Sequence, residues 1–110
     1  MSFRGSGLGA WLLQRFTAVY LVIMIVYIGG LCLTHDLTTP AQLRQVLSNR
    51  FVLISLGMMI LAILGHGWVG IRDIVMDYVK PLAARLVIYA CVIIYILYIL
   101  LWAFRILWNI

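Results

Sequence analysis

Three long runs without a charged residue constrain the fold of this chain more than any other feature. They extend from Phe16 to Leu33, from Phe51 to Ile71 and from Leu86 to Phe104. A helix needs about 20 mostly apolar residues to cross the hydrocarbon core of a bilayer. Inside that core every backbone N–H and C=O must be bonded within the protein, which only helices and closed barrels achieve. Each run therefore predicts one transmembrane helix.

Composition points to the same class of protein. Hydrophobic residues make up 66% of the 110 residues and charged residues only 10%, whereas charged residues form about a quarter of an ordinary soluble domain. We predict an all-α membrane protein: a single transmembrane domain over residues 1–110, with three transmembrane helices at about residues 11–34, 51–78 and 82–106. Three helices bury little surface against one another, so we expect this chain to be one part of a larger bundle.

Polar segments separate the predicted helices. Residues 34–40 are expected to form a loop, and residues 41–49 a short helix at the membrane surface, because Arg44 and Gln45 interrupt its apolar character. Pro81 predicts a break before the third helix, since proline cannot continue the hydrogen-bond ladder. Residues 1–9 are similar to the start of a signal peptide, but the apolar run that follows is too long for one, so we predict a retained signal-anchor.

The net charge of +5 comes from eight basic and three acidic residues. The basic residues lie scattered at the ends of the apolar runs, which argues against nucleic-acid binding and favours a role in membrane orientation. With three spans, the side of the N-terminus carries Arg4, Arg15, Arg72, Lys80 and Arg85, and the other side carries Arg44, Arg50 and Arg105. This bias predicts that the N-terminus is inside and the C-terminus is outside.

Small and polar residues share one face of the second predicted helix. They are spaced three or four apart: Ser55, Met59, Ala62, His66, Gly70, Asp73 and Asp77. Small residues at such a position indicate close approach by something other than lipid acyl chains. A neighbouring helix is one candidate, and a flat cofactor is the other.

His66 bears on that choice. An imidazole inside a transmembrane helix is costly unless it has a partner, and such residues often mark functional sites. Gly65, Gly67 and Gly70 remove side-chain bulk around it, as the face of a porphyrin requires, and histidine commonly holds haem iron. The alternative is a histidine hydrogen-bonded to a neighbouring helix. By contrast, His35 lies in a polar loop beside Asp36, where we expect a solvated side chain.

Asp77 and Tyr78 lie at the predicted end of the same helix. A phenol stays neutral at physiological pH and donates a hydrogen bond, which suits a carbonyl acceptor such as a quinone. Asp77 can handle a proton or contact a quinone. The alternatives are an ordinary charged helix end and an interfacial tyrosine, and spacing alone leaves them open.

Three segments carry a family resemblance. They are Arg15-Phe16-Thr17-Ala18, His66-Gly67-Trp68-Val69-Gly70 and Asp77-Tyr78-Val79-Lys80-Pro81-Leu82-Ala83-Ala84-Arg85-Leu86. Together with the length and the three spans, they resemble the hydrophobic membrane-anchor subunits of succinate dehydrogenase, including the spacing from the histidine to the tyrosine. One departure is the charged pair Arg72-Asp73, where the family carries less charged residues.

The resemblance implies a role in respiratory Complex II, in a bacterial inner membrane with a cytoplasmic N-terminus and a periplasmic C-terminus. This chain is then half of a two-subunit anchor bundle. Its expected partners are the second membrane anchor subunit, the iron–sulfur subunit that delivers electrons, the flavoprotein subunit and the lipid bilayer. The two anchor subunits are expected to bind one haem b between them and to form the ubiquinone-reduction site.

Residue by residue, the resemblance makes His66 an axial ligand of the haem iron. Tyr78 is expected to hydrogen-bond a quinone carbonyl, with Asp77 beside it. Arg15 and Arg72 are weaker candidates for contact with a haem propionate. The alternative for Arg15 is a snorkelling arginine, and for Arg72 a local ion pair at the surface.

Two further functions remain open, and a third is disfavoured. The chain can belong to a fumarate reductase anchor, or it can be a purely structural anchor without a cofactor. A small multidrug exporter needs four spans and an embedded carboxylate, typically glutamate, and this chain has no glutamate. Nothing in the sequence can oxidise succinate, since it has no nucleotide-binding motif, so we expect a non-catalytic subunit of an enzyme complex.

Overall fold

The structure, a computed structural model, describes residues 7–110. Arg4 and the start of the predicted signal-anchor lie outside these residues. Four helices follow in order: α1 (Leu8–Thr34), α2 (Pro40–Leu47), α3 (Arg50–Tyr78) and α4 (Leu82–Trp108). α1, α3 and α4 are long and apolar enough to cross a membrane, and the described residues contain no strand. The prediction of an all-α membrane protein with three transmembrane helices is confirmed.

The short helix α2 forms the connection between the first two spans. Thr39 and Gln42 make a capping box at its start, in which the threonine hydroxyl accepts a bond from the Gln42 N–H and the Gln42 side chain accepts one from the Thr39 N–H. Pro40 occupies the first turn, where its missing N–H costs nothing. No residue of α2 is buried, and its position at the membrane surface stays a prediction.

The spanning helices form a layer with α3 in the middle. α1 and α4 each pack against α3, and within residues 7–110 no Cα atom of α1 lies within 8 Å of one in α4. An edge-to-face contact between Tyr27 and Phe51 joins α1 to the start of α3. A similar contact between Trp68 and Tyr89 joins α3 to α4. The central helix therefore carries the contacts that hold the layer together.

Few side chains are buried within this layer. The buried apolar residues are Met24, Val52, Ala62, Val69 and Val75, and the helix α4 has none. Apolar surface on a spanning helix is solvated by lipid, so its exposure is not costly as it is in water. The layer leaves both of its faces open to acyl chains or to other subunits.

Candidate functional site

A hydrogen bond between Thr17 and His66 connects α1 to α3 inside the membrane-spanning part of the molecule. The Thr17 hydroxyl oxygen, Oγ1, lies 3.0 Å from Nδ1 of His66. Thr17 is 8% exposed and is the one buried polar residue in the described chain. His66 thus has the partner that an intramembrane imidazole needs, and that partner belongs to this chain.

The hydrogen bonds of Thr17 bear on which nitrogen of His66 carries the proton. Oγ1 lies 2.7 Å from the Leu13 carbonyl oxygen and 3.1 Å from that of Gln14. A hydroxyl has a single proton to donate, and a contact of 2.7 Å between two oxygens requires it there. The 2.7 Å contact thus favours the arrangement in which Oγ1 accepts a hydrogen bond from His66 and the imidazole proton sits on Nδ1.

This arrangement leaves the second nitrogen of the ring available. With the proton on Nδ1, Nε2 carries a lone pair, and it has no hydrogen-bond partner among residues 7–110. Metal-bound histidines have the same pattern, in which one nitrogen binds the metal and the other donates to an oxygen. No group of three or more His, Cys, Asp or Glu side chains that could hold a metal ion occurs among the described residues.

Helix α1 lies against α3 near His66. A Cβ atom added at Gly65 would meet the Leu13 side chain at 3.9 Å, which is ordinary van der Waals contact. Farther along α3, the backbone carbonyl of Ser55 accepts a hydrogen bond of 3.0 Å from the Tyr20 hydroxyl. The neighbouring helix inferred from the small-residue face is therefore present, and it is α1.

Open space remains on the same face, one turn beyond His66. Gly70 follows His66 by four residues and so lies beside it on the helix surface. A Cβ atom added at Gly70 would meet nothing within 4 Å. This chain therefore covers His66 on the side of Thr17 and leaves room next to Gly70.

The two candidate arginines lie in different surroundings. Arg15 is exposed, and its guanidinium carbon lies 5.3 Å from the centre of the Trp11 ring, a cation–π contact. Arg72 forms an ion pair with Asp73, at 3.1 Å from Nη2 to Oδ1, so the local ion pair considered from the sequence is present. Nε of Arg72 is nevertheless buried and without a partner in the described part of the chain.

Asp77 and Tyr78 occupy the last turn of α3. Both are exposed, and the Tyr78 side chain is 79% exposed. The helix is continuous from His66 to Tyr78, so the twelve intervening steps separate the two residues by about 18 Å along the axis. The structure thus keeps the two candidate groups apart, with His66 inside the span and Tyr78 at its end.

Arg85 forms hydrogen bonds with the backbone on both sides of Asp77 and Tyr78. From the first turn of α4, its Nε donates to the Val79 carbonyl and its Nη2 donates to the Met76 carbonyl at 3.0 Å. The last carbonyls of a helix lack partners within the helix, and a cation is favoured there by the helix dipole. Arg85 therefore fixes the end of α3 and the turn into α4.

Sequence reasoning did not single out Thr17 or Arg85. Thr17 is the second residue of the first uncharged run and Arg85 immediately precedes the third, so each has an ordinary explanation. The available signals were a hydroxyl inside the first span and a cation in the first turn of α4. Neither signal identifies the partner, because the contacts join residues 49 and nine positions apart.

Comparisons with known proteins agree with this picture. The family profile described as "Succinate dehydrogenase/Fumarate reductase transmembrane subunit" matches residues 2–103. A protein of Coxiella burnetii (strain RSA 493 / Nine Mile phase I), named "Succinate dehydrogenase hydrophobic membrane anchor subunit", is 31% identical over 98 residues. The aligned part covers 89% of this chain and 85% of that relative. The chain is therefore a multi-pass membrane protein that belongs to the succinate dehydrogenase/fumarate reductase transmembrane subunit family.

Proposed function

We propose that this chain is a membrane anchor subunit of a succinate:quinone oxidoreductase that helps to bind haem b and forms part of the ubiquinone-reduction site. The observation that carries the proposal is the 3.0 Å contact between Nδ1 of His66 and Oγ1 of Thr17, with Nε2 left without a hydrogen-bond partner among residues 7–110. The family assignment and the relative's name supply the enzyme class.

The residues around His66 fit a haem. A b-type haem needs one nitrogen ligand from this chain and a flat, uncrowded surface beside it. Nε2 of His66 provides the ligand, and the open space at Gly70 provides the surface. When bound, the haem would supply a one-electron carrier within the bilayer, and the other anchor subunit would contribute the second ligand.

The propionates of a haem are carboxylates, and arginine is the side chain that suits them best. Arg72 has a buried Nε without a partner among the described residues, and a buried donor left unpaired costs about 1–3 kcal/mol. A carboxylate oxygen would remove that cost. Arg15 has exposed donors and is the second candidate for the same role.

The quinone assignment rests on Tyr78 and Asp77 at the membrane boundary. The Tyr78 phenol donates a hydrogen bond to a quinone carbonyl, and Asp77 lies next to it as an exposed carboxylate that can exchange a proton with water. Reduction of a quinone to a quinol takes up two electrons and two protons. A site at the end of a span, within reach of both lipid and water, suits this reaction.

The proposed partners follow from the exposed faces of the layer. A second anchor subunit covers the face that presents His66, and the iron–sulfur and flavoprotein subunits dock at the Tyr78 end. The charge bias places that end at the cytoplasmic side of a bacterial inner membrane, with the C-terminus in the periplasm. The second candidate function is a fumarate reductase anchor, because the family description includes both enzymes.

The test is the visible spectrum of the purified complex. We expect a b-type absorption spectrum that His66→Ala changes or abolishes. His35→Ala is the matched control, since His35 is exposed and bonds only to the adjacent Thr34. An unchanged spectrum in the His66→Ala complex would remove His66 as a ligand. An assembled native complex without any haem would favour a purely structural anchor.

A further inference from the structure

We propose that Thr17 is the positioning residue for His66, which fixes the ring orientation and proton position that let Nε2 bind the haem iron. The inference rests on the proposed function, because it assumes that His66 is the ligand. Thr17 does not touch the iron. It acts through the hydrogen bond of 3.0 Å between its Oγ1 and Nδ1 of His66.

Thr17 is itself held in place before any cofactor binds. Its hydroxyl is fixed by the Leu13 carbonyl at 2.7 Å, it is 8% exposed, and its branched Cβ restricts rotation of the side chain. The acceptor lone pair is therefore aimed at His66 by α1. A ring that rotates away from this position loses the bond, so the contact selects one orientation of the imidazole.

The same bond selects the tautomer. Without it, the proton can move to Nε2, where it blocks metal binding, because a histidine ligand must offer a lone pair. With it, the proton stays on Nδ1. In the low dielectric of the bilayer interior the bond is stronger than in water, and losing it leaves a polar group unpaired.

The bond also affects how strongly His66 donates electrons. An oxygen that accepts the Nδ1 proton raises the basicity of the opposite nitrogen. A more basic ligand stabilises ferric iron relative to ferrous iron. Removing the acceptor therefore raises the reduction potential of the haem and weakens its retention. Partners of this kind change metal affinity by about 10–100-fold when they are removed, and we expect about tenfold because the Thr17 oxygen is uncharged.

The experiment compares three variants in the whole complex. Thr17→Val keeps the side-chain shape and removes the hydroxyl, whereas Thr17→Ser keeps the hydroxyl. Tyr20→Phe is the matched control, because it removes another side-chain hydrogen bond between α1 and α3, the one to the Ser55 carbonyl, without touching His66. The measurements are the haem-to-flavin ratio, the reduction potential of the haem and its low-spin electron paramagnetic resonance signal.

We expect Thr17→Val to raise the potential, shift the resonance signal and lose haem about ten times more readily. Thr17→Ser and Tyr20→Phe should stay close to the native complex. Native values in Thr17→Val overturn the proposal, as does an equal change in Tyr20→Phe, which would indicate an effect of helix packing. If Thr17→Val does not assemble, Thr17→Ala is compared with Thr17→Ser, and equal potentials in these two overturn the proposal.

Failure of the inference about Thr17 can be distinguished from failure of the proposed function. If His66→Ala leaves the haem spectrum unchanged, the ligand assignment itself is wrong. If His66→Ala abolishes the spectrum while Thr17→Val leaves the potential and the resonance signal unchanged, only the role of Thr17 is wrong.

Discussion

His66 and Tyr78 lie on one unbroken helix, α3, with Tyr78 at its last residue. Their separation is about 18 Å along the axis. One residue is therefore inside the span and the other is at the membrane boundary, on the side where we place the iron–sulfur subunit. This spacing bears on the proposed electron path, because a quinone bound at Tyr78 would lie closer to that subunit than a haem bound at His66.

The first prediction is that quinone reduction does not depend on the haem. In His66→Ala complexes that assemble, we expect the haem spectrum to disappear while succinate:quinone reductase activity remains, because electrons arriving at the Tyr78 end can reach the quinone directly. The measurement is quinone reduction per flavin in the purified complex. Complete loss of this activity in an intact complex would show that the haem is an obligatory carrier.

The second prediction concerns Tyr78. Tyr78→Phe removes one hydrogen bond to the quinone, a loss of about 1–1.5 kcal/mol for a neutral donor, so we expect quinone reduction to fall about tenfold. Succinate oxidation with a soluble artificial acceptor should be nearly unchanged, since it does not use the quinone site. The control is Tyr98→Phe, because Tyr98 is also exposed but lies on α4, against Trp102. An equal loss of both activities would indicate faulty assembly instead.

Much of the fold follows from the sequence because the bilayer permits few alternatives. Uncharged runs of spanning length must be helical, and Pro81 and the Thr39 capping box mark helix boundaries by local chemistry. The small-residue face of α3 also predicted a close neighbour. The sequence did not predict that this neighbour is α1, because small residues indicate that a helix packs closely but not which helix it is.

The contacts that complete the site were harder to predict from the sequence. The bond between Thr17 and His66 joins residues 49 positions apart, and it depends on the rotation of α1 relative to α3. Lateral packing of apolar helices is set by shape along their whole length, so a single hydroxyl gives no sequence pattern. The Arg72–Asp73 pair shows the opposite case, since adjacent opposite charges at a helix surface suggest their own contact.

The third prediction concerns Arg85, which bonds the carbonyls of Met76 and Val79 on either side of the proposed quinone residues. Arg85→Gln removes the charge and at least one of these bonds, so the end of α3 should become less ordered. We expect the KM for quinone to rise several-fold, with the haem spectrum unchanged. Arg105→Gln is the control, since Arg105 lies in the last turn of α4, at the opposite end of that helix from Arg85. An unaltered KM in Arg85→Gln, or an equal rise in both variants, would exclude this role.

The last prediction uses Gly70, which lies one turn beyond His66 and faces open space. Gly70→Leu should not hinder folding of this chain, because a Cβ atom at Gly70 meets nothing within 4 Å, and leucine favours a helix over glycine by about 1 kcal/mol. If the haem lies against this face, the leucine side chain blocks it, and we expect the haem-to-flavin ratio of the complex to fall below half. Gly29→Leu is the matched control, since Gly29 also lies in a spanning helix and also faces open space. A full haem content in Gly70→Leu would place the cofactor on another side of His66, whereas equal losses in both variants would reflect a general effect of bulk on assembly.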